Sequence, residues 1–209
     1  MNFRFPVFLD LTGKKCLVTG EGYEVAGKVQ ALVDAAAEVT YVNPRAEAAI
    51  EALAAAALIR WEKRDFEADD LRGLFLVIAD LEDNAEIFRL AEEQRILCNC
   101  VDDPEHCRFS FGALHRRGEL TIAISTNGWA PAVAVRLKEK LQQDIGPEYT
   151  EFLQLLKEAR PEITTRIRDF RARRDLWYRI VDSEILALLG RGEKDAAEKL
   201  LREMIEAAV

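Results

Sequence analysis

Two stretches of this 209-residue sequence hold residue types that could do chemistry. One is Gly20-Glu21-Gly22, where two glycines in a short turn let backbone N–H groups approach an anion closely. The other is Asp102-Asp103-Pro104, where a carboxylate could take a proton from a bound substrate. Aspartates before a proline also favour turns for purely structural reasons, so that second role stays open. Cys98, Cys100, His106 and Cys107 lie close together, but no standard zinc spacing fits them and no metal site is assigned. The segment 160–179 carries seven arginines against three acids. Arginine forks suit carboxylates, and a charge run suits a solvated helix face equally well, with Ile163, Ile167, Phe170 and Trp177 on its packing side.

These groups need elements to position them. The stretches 15–19, 38–42, 58–63, 74–80 and 96–101 are nearly continuous in apolar or β-branched residues, the pattern of strands covered on both faces. Alanine-rich helical stretches separate them, and Asp83 is placed to cap the helix that starts near 84. Such alternation implies a parallel sheet with right-handed crossovers. After Asp102 the texture changes to two β-like stretches, 108–114 and 119–126, joined by His115-Arg116-Arg117-Gly118. A helix follows over 130–145 with Pro131 in its first turn, and from Pro147 the pattern is helical, with breaks at 159–162 and 189–194. The expected fold class is α/β. It comprises a Rossmann-type domain over 1–102, a β segment and helix for dimerisation over 103–146, and a helical domain over 147–209.

In that frame the glycine turn follows the first strand and opens a helix, the context a dinucleotide turn requires. Gly20 allows the tight turn, and Gly22 lets backbone reach a pyrophosphate at the helix N-terminus. The third glycine of the usual fingerprint is replaced by Val25. Glu24 suits the helix dipole but would repel a phosphate if it pointed inward. The second strand runs into Asn43-Pro44-Arg45. Asn43 stands where a ribose-binding acid often sits and can still hydrogen-bond a ribose hydroxyl, which favours NAD, while Arg45 leaves NADP open. Gly20, Gly22, Tyr23, Glu24, Asn43 and Pro44 form the candidate cofactor set.

Bulk composition narrows the classes. With 49% hydrophobic and 32% charged residues the chain reads as an ordinary soluble globular protein. No apolar run reaches the roughly 18 residues of a membrane span, and the N-terminus lacks a signal-peptide core, so a cytoplasmic location is expected. A net charge of -8 argues against nucleic acid as a partner, and four cysteines do not suggest a disulfide framework.

The segment "ILCNCVDDPEHCRFSFGALHRRGELTIAISTNGWAPAVAVRLKEKL" (96–141) resembles the siroheme synthase N-terminal family, the precorrin-2 dehydrogenases and their bifunctional ferrochelatase relatives. Its N-x-V-D-x-P pattern is matched by Asn99, Val101, Asp102 and Pro104. An aromatic strand ending in R-G is matched by Phe109, Ala113, Arg117 and Gly118, and I-S-[ST]-x-G-x-x-P by Ile124, Ser125, Thr126, Gly128 and Pro131. The openings "FPVFLDLTGKKCLVTG" and "DDLRGLFLVIAD" are also typical. The chain departs from the family at Glu21 and Gly27 of the turn, in "ADLED" after the fourth strand, and at Asn127, Trp129 and Ala130 of "STNGWAP".

The resemblance implies NAD-dependent oxidation of precorrin-2 to sirohydrochlorin in siroheme biosynthesis, by a homodimer with dimer contacts in the β segment. It implies Asp102 as the functional aspartate. Asn99, Arg117, Ser125, Thr126 and the tail residue Arg171 are candidates for holding the tetrapyrrole, whose many carboxylates need cations. A bifunctional dehydrogenase and ferrochelatase is the alternative, with iron delivered transiently by Asp102 and His106 or His115. An inactive nucleotide- or tetrapyrrole-binding protein is the other. No methyltransferase domain is expected beyond the helical tail.

Overall fold

The computed structural model describes residues 5–209, so the first four residues of the N-terminus searched for a signal peptide lie outside the described residues. It divides into two compact units, Met1–Ser110 and Phe111–Val209. The first unit holds β1 (Lys15–Gly20), α1 (Tyr23–Asp34), β2 (Glu38–Val42), α2 (Ala48–Ala55), β3 (Arg60–Glu62), β4 (Leu76–Asp80), α3 (Asn84–Gln94) and β5 (Leu97–Cys100). All neighbouring strands are parallel, in the order β3-β2-β1-β4-β5. This is the Rossmann-type sheet the alternating pattern predicts.

Helices cover both faces, which is why the strands read as unbroken apolar runs. Val18, Tyr41 and Ile78 pack on one face against Val25, Val29 and Leu32 of α1 and Ile50 of α2. Leu17, Val77, Ala79 and Cys98 pack on the other against Ile87 and Ala91 of α3. The Asp83 carboxylate accepts a hydrogen bond from the Ala85 N–H at 3.0 Å, the predicted cap. The third strand is shorter than the 58–63 run, because Ala57 takes φ 56° and Leu58 stays exposed at the sheet edge.

The order of strands matters for function. From β1 the chain crosses to β2 on one side, and β4 lies on β1's other side. The carboxyl ends of β1 and β4 therefore flank the switch point where doubly wound sheets bind ligands. Gly20 and Asp80 are register partners at that edge.

The second unit holds a hairpin, β6 (Ala113–Arg117) and β7 (Leu120–Ile124), and helices α4 (Pro131–Asp144), α5 (Glu148–Arg166), α6 (Phe170–Val181), α7 (Ile185–Gly190) and α8 (Lys194–Glu206). The hairpin is displaced from its predicted position. His115, Arg116 and Arg117 belong to β6, and the loop is Gly118-Glu119, with Arg117 opposite Leu120. Gly118 takes φ 54°, the left-handed backbone a two-residue loop needs, so the turn forms there. Residues 108 and 109, predicted to start this strand, run beside β5 instead: the Arg108 N–H donates to the Cys98 carbonyl at 2.8 Å.

The break predicted at 159–162 is absent, and α5 runs through Pro161 to Arg166. Ile163 is fully buried among Phe152, Leu176, Ile180 and Ile205, so packing holds the helix together past the proline. The chain turns later, at 167–169, where the Asp169 carboxylate caps α6 through the Ala172 N–H at 2.8 Å. The arginine-rich run is thereby split between two helices, and Phe170, predicted on the packing side, is 67% exposed.

Candidate functional site

The glycine turn joins β1 to α1. Gly20 has φ 112°, and a Cβ there would collide with the Asp80 carbonyl oxygen and lie 2.7 Å from the Asp80 Cβ. Gly20 is therefore required by the close approach of β1's end to β4. Gly22 differs. It has φ 99° and precedes the first turn of α1, yet a Cβ there would meet nothing within 4 Å. No side chain caps this helix, so the N–H groups of its first turn face open space over Gly22. That donor-lined cradle fits a pyrophosphate. Tyr23 and Glu24 are exposed beside it.

Tyr41 holds the turn from below. Its buried hydroxyl donates to the Gly20 carbonyl at 2.6 Å, with the Arg45 carbonyl 3.0 Å away. Burial, with the Glu21 charge as a lesser cause, pushes the phenol up to about 12. Tyr41→Phe would take the buried hydroxyl donor away from the Gly20 carbonyl, at a cost of about 1–3 kcal/mol. The expected result is a melting temperature lowered by roughly 2–4 °C per kcal/mol, read by thermal denaturation.

At the end of β2, Asn43 is buried and Pro44 exposed. The Asn43 amide donates to the Arg45 carbonyl at 2.8 Å and to Glu21 Oε1 at 3.3 Å. Arg45 Nε and Nη2 donate to the same oxygen at 3.1 and 3.0 Å. The Asn43 and Arg45 hydrogen bonds hold the Glu21 carboxyl below the usual carboxylate range. The departure from the family turn at Glu21 thus has a partner set that spacing did not reveal.

The fifth strand ends at Cys100, one residue short of the 96–101 run before Asp102. Asp102 lies two residues past Cys100, in a turn with φ 55°. Its carboxylate is exposed and makes no hydrogen bond or ion pair among the described residues. Asp103, by contrast, is engaged through one oxygen: His106 Nδ1 lies 2.7 Å from Asp103 Oδ2 and the Asn84 amide 3.4 Å. His106 foremost among these contacts holds the Asp103 carboxyl below its ordinary range. Asp80, at the end of β4, is raised by burial and then by the negative charges of Asp102 and Glu24. Asp80, Asp102 and Glu24 therefore share one acidic edge of the sheet beside the glycine turn.

Asn99 is buried, and its amide donates to the Phe109 carbonyl at 2.8 Å and to Cys107 Sγ at 3.3 Å. That tie shapes the segment carrying Asp102. In the second unit, Arg117 Nε donates to the Ile145 carbonyl at 3.3 Å. Ser125 Oγ accepts from the Asn127 N–H at 3.1 Å, and Thr126 Oγ1 from the Ala130 N–H at 3.3 Å. These bonds form a loop that leaves Trp129 87% exposed. Arg171 is exposed on α6, whereas Arg173 caps the end of the preceding turn through the Ile167 carbonyl. A cleft of about 590 Å³ opens among Glu119, Leu153, Leu156, Lys157, Arg160 and Trp177. Among the described residues, no three His, Cys, Asp or Glu side chains could jointly hold a metal ion. Among them, too, no helix is long and apolar enough to cross a membrane.

A parallel sheet with its switch point at a glycine turn defines a Rossmann-type NAD(P)-binding domain, here joined to a hairpin and helical unit. Three family models match the chain: NAD_binding_7, an NAD(P)-binding family, over 7–113; the sirohaem biosynthesis protein central region over 117–143; and the sirohaem synthase dimerisation region over 148–205. The chain belongs to the siroheme synthase N-terminal family.

It is 32% identical over 209 residues to the siroheme synthase of Neisseria meningitidis serogroup C, covering 99% of this chain and 43% of that protein. It is 34% identical over 206 residues to that of Methylococcus capsulatus, with 97% and 44% covered. The chain thus spans less than half the length of these curated relatives. A solved structure titled "SirC, precorrin-2 dehydrogenase" matches with a TM-score of 0.76 and 25% identity, over 95% of this chain and 99% of that one.

Proposed function

We propose that this chain oxidises precorrin-2 to sirohydrochlorin with NAD in siroheme biosynthesis, as a cytoplasmic homodimer. One observation carries the reading: an unengaged carboxylate, Asp102, stands at the sheet edge that also holds the open Gly22 cradle. The likeness to a structure titled precorrin-2 dehydrogenase supports it. The matched dimerisation region supports the homodimer.

The substrate loses a hydride and a proton. Bound NAD would supply the hydride acceptor. The chain supplies the rest. The first turn of α1 holds the pyrophosphate, and Asp102 takes the proton and passes it to solvent. Asn99 acts by fixing the Asp102 segment. The test is incubation of the pure protein with precorrin-2 and NAD. Appearance of the sirohydrochlorin absorption spectrum is expected, and an unchanged spectrum with bound NAD would favour a binding protein without catalysis.

Iron insertion is expected to stay near the spontaneous rate. His106 is tied to Asp103, and His115 is buried at 2% exposure, so neither offers a ready ligand. Sirohydrochlorin supplied with ferrous iron or cobalt checks this. Insertion well above background and lost in Asp102→Asn would establish the bifunctional enzyme instead.

A further inference from the structure

Doubly wound dinucleotide-binding domains place an acid at the end of the second strand to accept hydrogen bonds from the adenosine ribose. This chain has Asn43 there, and its amide hydrogens are already committed to the Arg45 carbonyl and to Glu21. Asn43 therefore has no amide hydrogen left for a ribose, and its neutral Oδ1 is a weaker acceptor for the ribose hydroxyls than a carboxylate. The carboxylate missing from β2 comes from elsewhere. Glu21 reaches across from the glycine turn to the same point, anchored through Oε1 by Asn43 and by both Arg45 donors. Every one of those bonds falls on Oε1, so Oε2 carries no hydrogen bond among the described residues. It is an oriented acceptor beside the turn where the pyrophosphate would sit.

We infer that Glu21 is the residue that reads the adenosine ribose and selects NAD over its 2′-phosphorylated counterpart. The inference rests on the cofactor reading above. Two effects act together. A ribose diol donates to the free Glu21 oxygen, whereas a 2′-phosphate would confront a carboxylate held ionised by its partners. Arg45, the group that could otherwise welcome a 2′-phosphate, is held toward Glu21 through Nε and Nη2, its charge offset by that carboxylate. Specificity here comes as much from the built-in repulsion as from the new contact. The pair is open to solvent, with Arg45 80% and Glu21 49% exposed, so removing the Glu21 charge frees Arg45 without disturbing the core.

The test is calorimetric titration of the purified protein with NAD and with NADP, needing no turnover. Opposed like charges at this range are worth about 10²-fold in affinity, so wild type should favour NAD by roughly that factor. Glu21→Gln should weaken NAD binding and cut the preference by about tenfold or more, because Arg45 becomes available to the phosphate. Adding Arg45→Ala to that variant should abolish the gain in NADP affinity. Thermal denaturation of each variant confirms that the fold is retained. A wild type that binds NAD, with the same NAD-to-NADP ratio in Glu21→Gln, overturns this inference and leaves the cofactor reading standing. A wild type that binds neither dinucleotide overturns both.

Discussion

Asp102→Asn is expected to lower turnover by about 10²-fold or more while leaving the melting temperature nearly unchanged. The exchange keeps size and turn-forming ability but removes charge and basicity. Asparagine also tolerates the left-handed backbone that residue 102 adopts at φ 55°. Because the Asp102 carboxylate makes no hydrogen bond or ion pair among the described residues, no structural contact is lost. Asp103→Asn is the mirror image. It weakens the 2.7 Å contact to His106 and should lower stability with little effect on rate. The Asp103 carboxyl titrates below its usual range in the folded protein. Its contribution is therefore present above the ordinary carboxylate pKa and is lost as pH falls through the lowered one. The melting temperatures of wild type and Asp103→Asn should converge in strong acid. Equal turnover in wild type and Asp102→Asn would remove the proton-transfer role.

The contrast between these neighbours marks what the sequence could and could not say. Asp102 and Asp103 are the same residue type in one turn, and only tertiary partners separate them: Asn84 lies nineteen positions from Asp103 in sequence. The sheet was legible because strands buried on both faces are apolar throughout, and Gly20-Glu21-Gly22 was legible because turn and helix start are local. Glu21's role was not. Its bonds to Asn43 and Arg45 span 22 and 24 positions and depend on β1 and β2 lying side by side. The hairpin was misplaced because residues 108 and 109 are β-like but bond to β5, a choice made by the tertiary fold. The helix through Pro161 was likewise decided by the burial of Ile163.

Gly22→Val should abolish NAD-dependent turnover, with a loss of about 10²-fold or more from misplacing the cofactor alone. The valine methyls would enter the open space over the first turn of α1, where nothing of the protein lies within 4 Å of the new Cβ. The side chain therefore excludes a ligand without displacing a neighbour. The backbone does pay a cost, since φ 99° is a conformation valine resists. Such strain amounts to about 1–3 kcal/mol, lowering the melting temperature without unfolding the domain at assay temperature. Gly20→Ala supplies the comparison. Its Cβ would collide with Asp80 at a backbone position of φ 112°, so overpacking and strain add and stability should fall further than in Gly22→Val. The two glycines thus separate a fold requirement from a ligand requirement. Calorimetry with NAD on folded Gly22→Val decides the matter: undiminished binding and turnover would place the dinucleotide elsewhere on the sheet edge.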